Sequence, residues 1–198
     1  MKRNLSTFLL LVLVLFARDP AVSGDLAEGV AAAQRGDFAT ALREWKPLAE
    51  QGDPSAQYNL GIMHDNGRGV PQDYKTAIKW YTLSAGQGHA KAQYNLGWMY
   101  KDGHGVFQDD KIAVKWWKLS AQQGLGKAQY NLGWMYKDGH GVLRDNIYTH
   151  MWFNIAASLG YKKAVKGRDI IAKRMTSSQL KKAQDLAMQC VKKKYKSC

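Results

Sequence analysis

The chain has 198 residues, 45% of them hydrophobic and 23% charged, with a net charge of +13 and only two cysteines. That is long enough to bury a core and too cysteine-poor for a disulfide-stapled scaffold. The charge is local: residues 161–198 hold 12 Lys and Arg against 2 Asp, whereas residues 24–160 hold 14 basic and 13 acidic residues.

At the N-terminus, Lys2 and Arg3 precede an unbroken apolar run from Phe8 to Phe16, followed by the small residues Ala21-Val22-Ser23. This pattern predicts a secretory signal peptide over residues 1–23, cleaved after Ser23 or Gly24, and therefore a periplasmic or secreted protein. The run is too short to span a bilayer core, which needs roughly 20 apolar residues. An exported chain meets little nucleic acid, so nucleic acid is not an expected partner. The basic C-terminus is better suited to a solvated cap, an anionic envelope surface or an acidic partner.

Residues 24–52 predict a shortened helix pair with its turn at Arg35-Gly36-Asp37-Phe38, and with Pro47 distorting the second helix. A repeat follows. Ala56-Gln57-Tyr58-Asn59-Leu60-Gly61 returns at 92–97 and again at 128–133, 36 residues apart each time. Gly67, Gly103 and Gly139 keep the same period, as do Gly69-Val70, Gly105-Val106 and Gly141-Val142, and Asp73, Asp109 and Asp145. The units run 53–88, 89–124 and 125–160.

Each unit predicts two helices. Ala92, Leu96 and Tyr100 recur on one helical face. Gly97 inside that helix implies that the partner helix passes too close for a side chain. Gly-x-Gly-Val ends the first helix, and Asp109 is placed to cap the second. Ala113, Trp116, Trp117 and Ser120 then fall on or near the buried side. Residues 161–198 predict a basic capping helix pair, its last helix opened by a capping box at Thr176-Ser177-Ser178-Gln179. Leu180, Ala183, Ala187 and Cys190 line one face of that helix. In an oxidising compartment Cys190 and Cys198 would bond; the alternative is one buried and one free thiol.

The pattern Ala-x-Tyr-Asn-Leu-Gly-x-Met-Tyr, Gly-x-Gly-Val-x-x-Asp and Ala-x-x-Trp resembles the Sel1-like repeat, a relative of the tetratricopeptide repeat. The resemblance covers residues 53–160 closely and the end units more loosely. It implies an all-α fold, a right-handed α/α superhelical solenoid whose first helices line a concave groove. It also implies a non-enzymatic adaptor that binds a partner protein or peptide there without a cofactor. The alternatives are cell-wall or β-lactam-related ligand binding or hydrolysis, as in some cysteine-rich secreted relatives, and envelope attachment through the basic C-terminus. Those relatives carry a disulfide in each repeat, and this chain has no cysteine in residues 1–189.

The residues expected to reach the groove are Tyr58, Tyr94, Trp98, Asp102, Tyr130, Trp134 and Asp138, with Asn59, Asn95 and Asn131 beside them. In related tetratricopeptide domains an Asn at the equivalent position binds the main chain of an extended peptide, a role suited to an amide that both donates and accepts. Packing competes with recognition at these positions, because every unit repeats the same packing problem. Trp98 and Trp134 are the strongest recognition candidates, since the preceding unit has Ile62 there. Three other patterns carry no expected chemistry. The Gly-x-Gly loops lack a Gly-Lys-Ser/Thr continuation. His104 and His140 lie in loops poorly placed to share a metal. Ser178-Gln179-Leu180-Lys181 matches Ser-x-x-Lys without the partner motifs of penicillin-interacting enzymes.

Overall fold

The structure is a computed structural model that describes residues 24–196 and residue 198; the expected signal peptide lies outside the described residues. Ten helices and no strands are present among those residues. They are α1 (Leu26–Gln34), α2 (Phe38–Glu50), α3 (Pro54–Asn66), α4 (Tyr74–Gly86), α5 (Ala90–Asp102), α6 (Asp110–Ala121), α7 (Gly126–Asp138), α8 (Asn146–Ser158), α9 (Lys162–Ala172) and α10 (Ser177–Lys192). Consecutive helices from α1 to α9 pack on one another in turn, as a helical repeat solenoid does.

Local chemistry sets the helix ends. Asp73, Asp109 and Asp145 each accept from backbone N–H groups of the following first turn, as in Ile112 N to Asp109 Oδ1 at 2.9 Å. Gly103 ends α5 at φ 73°, a conformation open to glycine at little cost. Two residues on, Gly105 lies against the backbone of Tyr74, its absent Cβ only 2.8 Å from the Tyr74 carbonyl carbon. The loop of one unit therefore seats on the start of the second helix of the unit before it.

The mid-helix glycines have a different partner from the one expected. Gly61, Gly97 and Gly133 face the rings of Tyr81, Trp117 and Phe153, and Gly29 faces Trp45. An aromatic side chain from the second helix, not its backbone, fills the space. Tyr81, Trp117 and Phe153 are all buried. The core is thus a row of rings laid into glycine notches at the repeat period.

A polar ladder ties the units together. Buried Gln57, Gln93 and Gln129 donate through Nε2 to the carbonyls of Ala49, Ala85 and Ala121, each at 3.1 Å. Gln87 and Gln123 in turn donate to Gln57 and Gln93 at 2.9 and 2.8 Å. The third unit has Leu159 at the corresponding place, which leaves buried Gln129 Oε1 without a partner.

Two features of the ends differ from expectation. The second helix of the first pair runs through Pro47 to Glu50 without a break. At the other end, α9 and α10 do not form a hairpin like the earlier pairs, because α10 packs chiefly on α8. The small face Ala183, Ala187 and Cys190 is buried; Ala187 and Cys190 join the core around Met151, Trp152 and Ile155. Beyond α10, Cys190 and Cys198 are bonded, with Cα atoms 5.2 Å apart. The ring they close lays Tyr195 against Gly124, between α6 and α7.

Candidate binding groove

The first helix of each unit turns the same positions toward one concave surface. Residues from α3, α5, the start of α7 and the start of α9 share a single cavity of about 520 Å³. Tyr58, Tyr94, Asn95 and Tyr161 are among its walls, with Leu125 between them and Lys91 and Lys127 at its rim. Helices three units apart can share a cavity only if the stack curves toward it. A second cavity, about 280 Å³, lies beside it at the C-terminal end. Tyr130 and Trp134 from α7, Phe153 from α8 and Ile170 and Ile171 from α9 form its walls, with Lys137, Lys163 and Lys166 around it. The rings of Tyr130 and Tyr161, 5.0 Å apart, join the two.

The tyrosines both pack and line. Tyr58 lies on His89 at 4.7 Å, and Tyr130 lies on Tyr161, while Tyr94 shares its cavity with Leu125. His89, Leu125 and Tyr161 are the N-cap residues of α5, α7 and α9. His89 still accepts from Ala92 N at 3.2 Å, but Leu125 and Tyr161 offer no capping side chain. At Leu125 and Tyr161 the helix-capping position has become groove wall. The loss of a capping side chain at a repeat-equivalent position was a signal open to sequence reasoning, which did not single out either residue. It also did not single out Lys163, Lys166 or Ile170, in the helix that lacks the Tyr-Asn-Leu-Gly signature.

The tryptophans stand at the edge. Trp98 and Trp134 are 40% and 37% exposed. Each leans edge-on against the buried ring beneath, Trp98 on Trp117 at 5.3 Å and Trp134 on Phe153 at 5.8 Å. Lys137 Nζ lies 4.1 Å from the centre of the Trp134 ring, a cation–π contact. Trp98 lines neither of these cavities. Asp102 and Asp138 are exposed in the last turns of α5 and α7, and Asp138 pairs with Lys137 at 3.2 Å.

The asparagines part company. Asn95 lines the large cavity and interacts with the hydroxyl of Tyr81, which itself donates to Asp65 Oδ2 at 3.1 Å. Burial pushes the Tyr81 phenol far above its ordinary value, with the nearby Asp65 carboxylate adding to the rise. Asn131 is turned inward, only 9% exposed, with Nδ2 unbonded. Its expected reach into the groove is corrected here: 36 residues on from Tyr81 stands Trp117, which offers no hydroxyl to the Asn131 amide. Asn59 lines a third cavity of about 440 Å³, with Phe38, Trp45 and Arg68, away from the other two.

Burial raises Tyr58, and burial together with neighbouring Tyr94 and Tyr130 raises Tyr161. These phenols stay neutral, so the charge near the two cavities comes from lysines. Elsewhere, His104 stacks on Tyr74 at 4.7 Å and His140 Nδ1 lies 3.3 Å from Asp110 Oδ2. No group of three metal-ligating side chains is gathered among the described residues. Ser178 and Lys181 are exposed near the start of α10, where Thr176, not Ser178, caps the helix by accepting from Gln179 N at 3.2 Å.

The comparisons agree with this geometry. The Sel1 repeat matches residues 54–89, 90–125 and 126–161. The chain is 38% identical to a Sel1 repeat protein of Oxalobacter formigenes over 65% of its own length and 97% of that protein's, with a TM-score of 0.61. It is 30% identical to a protective antigen present in uropathogenic Escherichia coli strains that displays an SLR fold, with a TM-score of 0.52. That match covers 86% of this chain and 45% of the antigen. No match was found among curated proteins. With three consecutive repeats spanning more than half its length, the chain belongs to the Sel1 repeat family.

Proposed function

We propose that the chain is an exported, non-enzymatic adaptor that holds a partner protein or peptide in the groove of its first helices. Sel1 repeats typically serve protein–protein contact, and the finer reading rests on the site itself. The observation that carries it is the aromatic-walled cavity of about 520 Å³ that spans α3, α5 and the start of α7 and is closed by Tyr161, the N-cap of α9. Tyr and Trp offer large, rigid contact area at low entropic cost. A cavity drawing on several successive first helices suits a segment of extended chain. Export is supported by Lys2, Arg3 and the apolar run that follows, and by the Cys190–Cys198 bond, which suits an oxidising compartment.

The test is affinity capture of envelope proteins on the chain beside a Tyr94→Gln, Trp134→Gln variant, altered in both cavities, with circular dichroism establishing that the variant is folded. A discrete partner held by the chain and lost by the folded variant supports the reading. Capture of the same proteins by both contradicts it.

A further inference from the structure

The groove carries three parallel rows, because α3, α5, α7 and α9 start at matching positions 36 residues apart. The fifth residue is Tyr58, Tyr94, Tyr130 and Lys166, and the ninth is Ile62, Trp98, Trp134 and Ile170. The second residue is Ser55 in α3, then Lys91, Lys127 and Lys163 in the next three helices. These three lysines are exposed and line the two adjoining cavities.

Their placement is costly to the helices. A cation in the first turn opposes the helix dipole, and α5, α7 and α9 have no acidic residue there to compensate. No Asp or Glu lines either cavity among the described residues. Of the five lysines around them, only Lys137 has an ion-pair partner, Asp138. The nearby carboxylates, Asp102 and Asp138, sit at the far ends of α5 and α7, beyond the tryptophan row.

We propose that the occupant of the groove is an acidic peptide segment, its carboxylates on the Lys91–Lys127–Lys163 row and its large apolar side chains against the Tyr and Trp rows. This rests on the groove reading above and adds the chemistry of the partner. Lys91, Lys127 and Lys163 stand at the same place in α5, α7 and α9, so an extended segment crossing the first helices, advancing about 3.3 Å per residue, meets them in succession. A peptide suits this surface better than an anionic bilayer does, because the lysines border concave, aromatic-walled cavities that a flat membrane does not enter.

The probe is a fluorescently labelled twelve-residue peptide of four Glu-Phe-Ser repeats, compared with its isostere of four Gln-Phe-Ser repeats, by anisotropy at low and moderate salt. The Glu peptide is expected to bind at least about tenfold tighter than the Gln peptide, and more weakly as salt rises. A Lys127→Gln, Lys163→Gln variant should lose about tenfold for the Glu peptide only, the sum of two exposed charge contacts. A Lys192→Gln, Lys193→Gln variant, altered at the end of α10, should bind as the parent does.

Equal binding of both peptides, lost on Trp134→Gln, would overturn the acidic partner and leave the groove standing. Binding indifferent to both the lysine pair and Trp134 would overturn the groove as well. No binding of the Glu peptide overturns the acidic reading, while the capture experiment judges the groove independently. Vesicles rich in anionic phospholipid that bind the chain and release the lysine variant, with no peptide binding, would replace the peptide by a membrane.

Discussion

Replacing Gly97 with Ala tests whether the glycine notches organise the repeat. A Cβ at this position overlaps Trp117 at Nε1 and Cδ1, with Cε2 only 2.7 Å away. Trp117 is 2% exposed and donates to the Tyr94 carbonyl at 3.0 Å, so the ring has little room to retreat without breaking that bond. Overpacking costs about 1–3 kcal/mol, and the hydrogen bond is worth about 1 kcal/mol. Helix propensity returns about 1 kcal/mol in favour of Ala. The net expectation is a loss of about 1–3 kcal/mol. At about 2–4 °C per kcal/mol for a chain of this size, Tm should fall by roughly 2–12 °C. Gly86 is the internal control: it ends α4, and nothing lies within 4 Å of its would-be Cβ. Ala there should raise stability by about 0.4–1 kcal/mol. Urea denaturation followed at 222 nm reads both variants. A Gly97→Ala chain as stable as the parent, or a Gly86→Ala chain as damaged as Gly97→Ala, would refute the ring-in-notch packing.

Three further outcomes follow from particular contacts. Leu159→Gln, at a position 44% exposed, gives the orphaned Gln129 Oε1 the partner that Gln57 and Gln93 already have, and should stabilise by about 0.5–1.5 kcal/mol in the same denaturation assay. Reducing the Cys190–Cys198 bond, or replacing both residues with Ser, should cost about 2–3 kcal/mol for a ring of this length and free Tyr195 from Gly124, read as lost protection of the α10 C-terminus in hydrogen exchange. Burial lowers the pKa of His64, His89 and His150, with Arg168 adding to the effect at His150. The unfolded chain therefore takes up protons first, below its ordinary histidine value of about 6.5, so stability is full above that pH and falls as pH drops toward the folded values. His150→Gln should flatten the decline between about pH 6.5 and 5 in a series of urea midpoints, and an unchanged slope would count against it.

Much of the architecture was readable from the repeat itself. The αL glycines, the capping aspartates Asp73, Asp109 and Asp145, and the helix pairs between them are local features, so sequence spacing carries them directly. What spacing did not reveal depends on packing between units. Asn95 and Asn131 occupy equivalent positions, yet their surroundings diverge because Tyr81 of α4 gives way to Trp117 two helices on. Leu125 and Tyr161 look like linker residues until the curvature of the stack brings them under Tyr94 and Tyr130. The docking of α10 on α8 follows from its small-residue face meeting Trp152, which no local pattern foretells. Lys163 looked like part of a basic tail, whereas the fold sets it in line with Lys91 and Lys127.

The most direct test of the groove is site-specific photocrosslinking in the expressing cell. A photoreactive side chain would replace Lys91, on the groove rim, or Lys115, exposed on the second helix α6. Crosslinking of one discrete partner from position 91 and not from position 115 is the result expected of a groove-binding adaptor. The same partner crosslinked from position 115 alone would place binding on the outer helices and contradict it.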